Sequence, residues 1–208
     1  MQDPSQPESF TSSGDLAFWY SAAKIYSIDE RPGAKPTTFL DMDHTGFYAA
    51  DSSYFYYMDF DQFMLWRLPL AGDQPASAIL PARTYALSGD SIYGIDAVDN
   101  YHAIVLEQAP KAGGAWQRIR ALGAGSVGNT LQIVGDRYFL ESSSIVAATE
   151  PASGEFQVLT GSISSDNPPV RVLETSVASS GQARPWIGTA QNLYWTDGSA
   201  IYSRAVSP

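Results

Sequence analysis

Cysteine is absent from the 208 residues of this chain, which excludes disulfide frameworks, thiolate metal sites and cysteine nucleophiles. Basic residues are scarce, because 12 Lys and Arg stand against 22 Asp and Glu and leave a formal net charge of −10. Binding to a nucleic-acid backbone or to an anionic membrane needs a basic surface, so we expect neither partner. No apolar run reaches the ~18 residues that a membrane-spanning helix requires, and no helical periodicity is sustained.

Aromatic and apolar residues are plentiful, at 12% and 44% of the chain, and 17 Gly with 13 Pro interrupt them at short intervals. The stretch 192–204 reads Asn-Leu-Tyr-Trp-Thr-Asp-Gly-Ser-Ala-Ile-Tyr-Ser-Arg. Alternating aromatic and β-branched residues on both sides of Asp197-Gly198 are typical of two short strands joined by a tight turn. The sequence therefore predicts a β-hairpin here.

Degenerate copies of this hairpin recur along the chain. They are anchored on an aromatic residue at each of five positions: Phe18, Tyr56, Tyr93, Phe139 and Tyr194. The anchors are 38, 37, 46 and 55 residues apart, close to the ~40–50 residues of a propeller blade. We predict an all-β fold, a β-propeller of five short blades, each a three- to four-stranded antiparallel meander. The alternative is a fragment of a six- or seven-bladed propeller.

The predicted organisation is a polar tail at residues 1–9 followed by a single propeller domain at 10–208. The repeats cover about 10–40, 46–81, 84–122, 130–174 and 186–208. In the fourth repeat we place the third strand at 144–149, although 155–160 and 170–174 also have a strand pattern. The glycine-rich segment 123–128 spells a dinucleotide-binding fingerprint, but the residues after it resemble a strand, so we interpret it as a flexible loop.

The fifth repeat ends after its third strand. Either this blade has three strands, or the polar tail supplies a fourth, or the chain is a piece of a larger propeller. A free strand edge can pair with another copy, so the expected state is a monomer or an edge-strand-mediated oligomer.

Tyr194-Trp195-Thr196-Asp197, followed by Ile201 and Arg204, resembles one repeat of the YWTD propellers of the low-density-lipoprotein-receptor type. The segments 56–59 and 93–96 keep its Tyr-x-x-Asp frame, and 65–72 resembles repeats of bacterial surface and periplasmic propellers. The resemblance implies turn and inter-blade hydrogen-bonding roles, not catalytic ones, for the aspartates that close the motif, namely Asp59, Asp96 and Asp197. It also implies export to the periplasm, the cell surface or the medium.

Carboxylates and both histidines of the chain fall on predicted loops at one face of the second and third blades. The candidate ligand-binding residues are Asp41, Asp43, His44, Asp61, Asp99, Tyr101 and His102. These groups suit a divalent cation, or a polar ligand such as a sugar beside an aromatic ring. The alternative is that these aspartates only form turns. We predict no other cofactor.

The favoured function is a non-catalytic, lectin-like binding or scaffold propeller that recognises a protein or glycan ligand through one loop face. A glycan-active hydrolase is the first alternative, with two of these aspartates as acid and base about 5–9.5 Å apart. A structural or self-assembling propeller fragment is the second.

Overall fold

The fold is an all-β, five-bladed β-propeller, as the repeats predict. A computed structural model describes residues 9–21, 24–29, 31–41, 45–72, 74–81, 84–98, 103–146, 156–165, 167–175, 186–196 and 200–206. Every regular element in these ranges is a β-strand, and none is a helix.

The described residues form eighteen strands. The first two blades contain β1 (Ser9–Ser13), β2 (Leu16–Ser21), β3 (Lys24–Asp29), β4 (Thr37–Asp41), β5 (Thr45–Ala50), β6 (Tyr54–Asp59), β7 (Met64–Pro69) and β8 (Ser77–Pro81). The other three contain β9 (Thr84–Ser88), β10 (Ser91–Val98), β11 (Ala103–Pro110), β12 (Gln117–Val134), β13 (Arg137–Val146), β14 (Phe156–Ser162), β15 (Val170–Thr175), β16 (Trp186–Gly188), β17 (Asn192–Thr196) and β18 (Ile201–Ala205). Strands that neighbour each other in a sheet pair antiparallel in chain order.

Blades 3 and 4 share strand β12, and this corrects two sequence interpretations. The first part of β12 pairs with β11 and its last part with β13, so a single sheet of seven strands runs through both blades. Residues 123–128 therefore belong to a strand and are not a flexible loop. The prediction of a third strand at 144–149 is also wrong, because residues 144–146 extend β13 and β14 is the third strand of blade 4.

The five aromatic anchors occupy equivalent positions, as the repeats predict. Each is the third residue of the second strand of its blade. Phe18 packs onto the second blade, where its ring centroid is 5.1 Å from that of Phe55. Phe139 likewise joins a buried cluster with Leu193 of blade 5. Burial of one aromatic of this kind stabilises the fold by roughly 2–3 kcal/mol.

The chain divides by its contacts into two compact units, Met1–Ala82 and Arg83–Pro208. The first contains blades 1 and 2 around the buried cluster of Phe18, Ile25, Phe55 and Tyr57. The second contains blades 3, 4 and 5, with one cluster between blades 3 and 4 and another between blades 4 and 5. The single domain at 10–208 stays a prediction.

Candidate functional site

Exposed large apolar side chains concentrate at two places in the described part of the chain. The set comprises Phe60, Phe63, Val170, Ile187, Ile201 and Tyr202. Two of them lie on the loop between β6 and β7, and three lie on blade 5. Such clusters mark interaction surfaces more often than isolated exposed apolar residues do. Residues 60–63, which join β6 to β7, are called loop 60–63.

Loop 60–63 is a four-residue hairpin connection whose start is fixed by Asp59. Asp59 pairs with Met64 across the hairpin. Its Oδ1 accepts hydrogen bonds from the backbone N–H groups of Asp61, at 2.9 Å, and Gln62, at 3.1 Å. A carboxylate that holds the amides two and three residues ahead forms a turn from its own side chain. Asp59 therefore has the turn-forming role that the YWTD resemblance implies.

Phe63 closes the loop in left-handed backbone geometry. Its φ of 48° is the only positive value of a non-glycine residue in the described ranges. Left-handed geometry costs a residue with a bulky side chain about 1–2 kcal/mol, and glycine avoids this cost. The Phe63 side chain is 52% exposed, so about half of it remains available to a binding partner.

Phe60, at the other end of the loop, lies against the backbone of the first strand of the blade. A Cβ placed on Gly46 would come within 2.7 Å of the Phe60 ring. Glycine at position 46 thus allows the ring to lie on the sheet, while 39% of Phe60 stays exposed. One phenylalanine is anchored on the sheet and the other is more exposed, with Asp61 and Gln62 between them.

Only two of the predicted ligand-binding residues lie within the described ranges. Asp41 ends β4, and its carboxylate pairs with the Lys24 ammonium at 3.0 Å while its side chain stays 70% exposed. Asp61 is exposed in loop 60–63. The remaining five lie outside the described residues: Asp43, His44, Asp99, Tyr101 and His102. Their convergence stays a prediction.

The electrostatics of Asp41 are those of a surface ion pair. The hydrogen bond and the charge of Asp41 raise the pKa of Lys24 above its ordinary value. Within the described ranges, no group of three or more acidic or histidine side chains is placed to hold a metal ion. The divalent cation therefore remains a prediction that depends mainly on residues outside those ranges.

A small cavity of about 360 Å³ lies beside the turns of blade 2 that join β5 to β6 and β7 to β8. Residues 52–54 line one side, and residues 69–71 with Gln74 line the other. The Arg67 guanidinium lies 4.8 Å from the centre of the Tyr54 ring. Next to it, Tyr56 donates its hydroxyl to Asp51 at 2.9 Å, and burial together with this carboxylate raises the pKa of Tyr56. These contacts link β6 to β7 and to the turn that precedes β6.

The sequence pattern indicates the acidic residues of this region but not the two phenylalanines beside Asp61. A usable signal was present, because the last position of a short hairpin loop commonly needs left-handed geometry and favours glycine. A phenylalanine at such a position, as at Phe63, departs from the usual turn chemistry and indicates a candidate site.

No known protein family and no curated protein matches this sequence. Solved structures match it in shape. One from a nidogen/laminin complex is 12% identical with a TM-score of 0.59, and the match covers 94% of this chain and 75% of that one. A putative TolB from Agrobacterium tumefaciens is 13% identical with a TM-score of 0.63, covering 94% and 79%. Hsv2 from Kluyveromyces lactis is 11% identical with a TM-score of 0.56, covering 97% and 72%.

The chain shares their fold. At these identities the likeness extends to the propeller architecture alone, which this chain has in common with YWTD-type nidogen and with TolB. Across the described ranges, no helix is long and apolar enough to cross a membrane.

Proposed function

We propose that this propeller is a non-catalytic binding module that recognises a protein partner through loop 60–63. The observation that carries the proposal is the left-handed Phe63, whose ring is half exposed at a position where glycine would be more stable. Backbone strain of this kind is often found at binding sites.

The loop has the composition of a small binding site. Aromatic side chains supply a large contact area with few rotatable bonds, and such residues dominate the energetics of interfaces. Phe60 is already held against Gly46, so little conformational entropy remains to be lost when it binds. Asp61 and Gln62 provide polar groups between the two rings, and hydrogen bonds to these groups would orient the partner.

A protein partner fits loop 60–63 better than a glycan does. Phenylalanine rings offer no hydrogen-bond donor or acceptor, whereas an apolar pocket on a protein surface buries them completely. The charge of −10 on the chain favours a partner with a basic rim around that pocket, because complementary charge accelerates association.

The test compares three proteins as baits in extracts of the native host: the wild type, Phe63→Gly and Val170→Ser. Val170 is an exposed apolar residue of blade 4, at 61%, and serves as the matched control. We expect a specific protein to be retained by the wild type and by Val170→Ser but lost from Phe63→Gly. Purified partner and titration calorimetry should then show a loss of at least about tenfold in affinity for Phe63→Gly. Equal capture by all three baits contradicts the proposal.

A glycan array with the same three proteins tests the other ligand class. Glycan binding that disappears in Phe63→Gly would keep the loop as the site but replace the protein partner with a sugar. Hydrolysis of a bound glycan would contradict the non-catalytic binding module and support the glycan-active hydrolase.

We further propose that the chain is exported and belongs with the YWTD-type propellers. The likeness to TolB and to a protein of the nidogen/laminin complex supports both points, and the Asp59 turn supports the second. Fractionation of the native host with an antibody against this chain tests the first. Recovery of the protein with cytosolic markers would contradict it.

A further inference from the structure

The cavity of blade 2 lies at the ends of β6 and β7 that are opposite to loop 60–63. Its volume of about 360 Å³ is near the lower limit of ligand pockets, so it suits one small ring. The lining residues are 52–54, 69–71 and Gln74, and all of them belong to blade 2. The chemistry of the cavity therefore follows from two turns of a single blade.

The turn that forms one wall is held by Asp51. Its Oδ1 accepts hydrogen bonds from the backbone N–H groups of Ser53, at 2.9 Å, and Tyr54, at 3.0 Å. Its Oδ2 accepts the hydroxyl of Tyr56 at 2.9 Å. A carboxylate that binds the amides two and three residues ahead closes such a turn by itself. The exposed residues Ser52 and Ser53 therefore bring their hydroxyls to a wall that another side chain already holds in place.

Backbone contacts join the second wall to the first. The N–H of Leu70 donates to the carbonyl of Ser53 at 2.9 Å. The N–H of Gly72 donates to the carbonyl of Pro69 at 3.1 Å, and its φ of 70° is a left-handed geometry that suits glycine. The two walls are thus fixed relative to each other before a ligand arrives, which lowers the entropic cost of binding.

Tyr54 gives the cavity an aromatic ring whose position is also fixed. The Arg67 guanidinium lies 4.8 Å from the centre of this ring, and the centroid of the Tyr56 ring lies 6.2 Å from it. The apolar residues 69–71 line the facing wall. An immobilised ring and a small apolar wall can both bind the C–H surface of a ligand.

The chemistry of the lining residues restricts the ligand. All seven lie within the described ranges and carry no formal charge. An anionic ligand would need a cation among them, and a metal ion would need a carboxylate. An apolar ligand would bury hydroxyl and amide groups without partners, which costs free energy. These groups carry both donors and acceptors, so they match a neutral ligand that is rich in hydroxyls.

A sugar ring fits this description better than a peptide strand does. A strand would need backbone N–H and C=O groups as partners, but those of the two turns bond to each other and to Asp51. A sugar ring needs side-chain donors and acceptors beside an apolar surface, and the cavity has both.

We propose that the cavity of blade 2 is a binding site for a neutral sugar ring. The ring packs on Tyr54 and on residues 69–71, and its hydroxyls exchange hydrogen bonds with Ser52, Ser53 and Gln74. A free monosaccharide and the last residue of a glycan share this chemistry. The site is separate from loop 60–63 and goes beyond the proposed function.

Chemical-shift mapping on the isotope-labelled protein tests the site. Glucose, galactose, mannose and N-acetylglucosamine serve as probes, each titrated to about 50 mM. We expect saturable shifts with at least one sugar, at a Kd of about 1 mM, because a small open site binds one ring weakly. The shifts should concentrate at residues 52–54 and 69–72. No saturable shift with any of the four sugars, or shifts confined to loop 60–63, overturns the proposal.

The methyl glycosides of the sugar that binds distinguish the two sources of the ring. Binding of one glycoside as tightly as the free sugar assigns the site to the ends of glycans. Weaker binding of both glycosides assigns it to free monosaccharides. Either result supports a sugar site in this cavity.

Two variants of exposed residues locate the contacts. Gln74→Ala removes the amide, and the double variant Ser52→Ala/Ser53→Ala removes both hydroxyls. Each should weaken binding of the sugar at least about fivefold. Gln117→Ala is the matched control, since Gln117 is an exposed glutamine at the start of β12, and it should bind the sugar like the wild type. Circular dichroism checks that the variants are folded. Wild-type affinity in both cavity variants overturns the proposal.

A neutral peptide is the competing ligand. Triserine that is acetylated at its N-terminus and amidated at its C-terminus carries hydroxyls and backbone groups without terminal charges. Under the same conditions it should cause no saturable shift at residues 52–54 or 69–72. Binding of this peptide at least as tight as that of the best sugar would assign the cavity to peptides and overturn the proposal.

Discussion

The hairpin turns between the first and second strands differ from loop 60–63 in how they reach left-handed backbone geometry. Three of these turns use glycine: Gly14, Gly89 and Gly135, with φ between 54° and 60°. Each is followed by aspartate in a two-residue connection, and a glycine at the first central position is typical of a type II′ turn. In loop 60–63 a phenylalanine, Phe63, has a similar φ of 48°.

The turn at Gly135 also shows how such a turn stabilises its surroundings. The carboxylate of the next residue, Asp136, accepts hydrogen bonds from the hydroxyls of Ser162, at 2.5 Å, and Ser164, at 2.8 Å. The Arg120 guanidinium holds the same connection between β14 and β15, because it donates to the backbone carbonyls of Ser162, at 2.7 Å, and Ser165, at 2.5 Å. Glycine and a polar network thus stabilise the fold at the Gly135 turn, whereas the left-handed geometry of Phe63 in loop 60–63 destabilises it.

The largest expected effect is at Arg120. Arg120→Ala removes the donors to Ser162 and Ser165, and also the one to the carbonyl of Asn167, and leaves partly buried acceptors to find water. Charge-assisted hydrogen bonds contribute about 1.5–3 kcal/mol each and are not additive, so we expect unfolding to require about 2–4 kcal/mol less free energy. Urea denaturation measures this decrease in the free energy of unfolding.

Arg118→Ala is the control for this prediction, because Arg118 lies on the same strand but is exposed. We expect it to change the free energy of unfolding by less than about 1 kcal/mol. Equal effects of the two substitutions would show that the network around Asp136 and Arg120 adds no stability.

The next effect in size is at the glycine of the turn. A Cβ at Gly135 would meet no atom within 4 Å, so only the backbone geometry decides the result of Gly135→Ala. We expect a loss of about 1–2 kcal/mol in the free energy of unfolding. Gly89→Ala, at the equivalent turn of blade 3, should lose a similar amount. If both variants were as stable as the wild type, left-handed geometry at these turns would not require glycine. The strain inferred at Phe63 would then be contradicted.

The third effect has the opposite sign. Phe63→Gly relieves the left-handed strain, and we expect the free energy of unfolding to rise by about 0.5–1 kcal/mol. Phe60→Gly is the matched control, since it exchanges the same residue types in the same loop but removes a ring that lies on Gly46. It should lower stability. A loss of stability in Phe63→Gly would mean that the Phe63 ring makes a structural contact that outweighs its strain.

The repeat architecture was predictable because it depends on local chemistry. The positions of Phe18, Tyr56, Tyr93, Phe139 and Tyr194 follow from alternation and spacing alone, and all five have the same place in their blades. The Gly-Asp turns were predictable for the same reason, since glycine at the first turn position specifies the backbone.

The merging of two blades through β12 was not predictable, because it depends on which segments pair. Residues 123–128 are rich in glycine, a composition typical of loops, yet residues 124–126 pair with residues 144–146 of β13. Because β13 extends through residues 144–146, the third strand of blade 4 is β14 and not the predicted strand at 144–149. A strand with many glycines has little preference of its own, so its partner decides its structure.

The candidate site was predictable only as a region. Asp61 was selected for its charge, whereas the exposed rings beside it are informative only once the φ of Phe63 is known. Composition indicates acidic turns, but it does not specify the backbone geometry of the residues beside them.

The smallest effect concerns the pH dependence of the Gly135 turn. The hydroxyl of Ser162 and then that of Ser164 lower the pKa of Asp136 below its ordinary value of 3.8. A carboxyl group whose pKa is lower in the folded state stabilises the fold fully above the ordinary pKa. That contribution is lost as the pH falls through the lowered value. We therefore expect the difference in unfolding free energy between the wild type and Asp136→Asn to be constant near neutral pH and to shrink below about pH 4.

Urea denaturation of both proteins from pH 7 to about pH 3 measures this difference, and using the difference cancels the titration of the other carboxyl groups. Ser162→Ala tests the cause, because it removes the first of the two hydroxyl donors and leaves the carboxyl group in place. The acid-side change should then be smaller than in the wild type. If Asp136→Asn differed from the wild type by the same amount at every pH, the Asp136 hydrogen bonds would not depend on its charge, and the turn would be held by Gly135 alone.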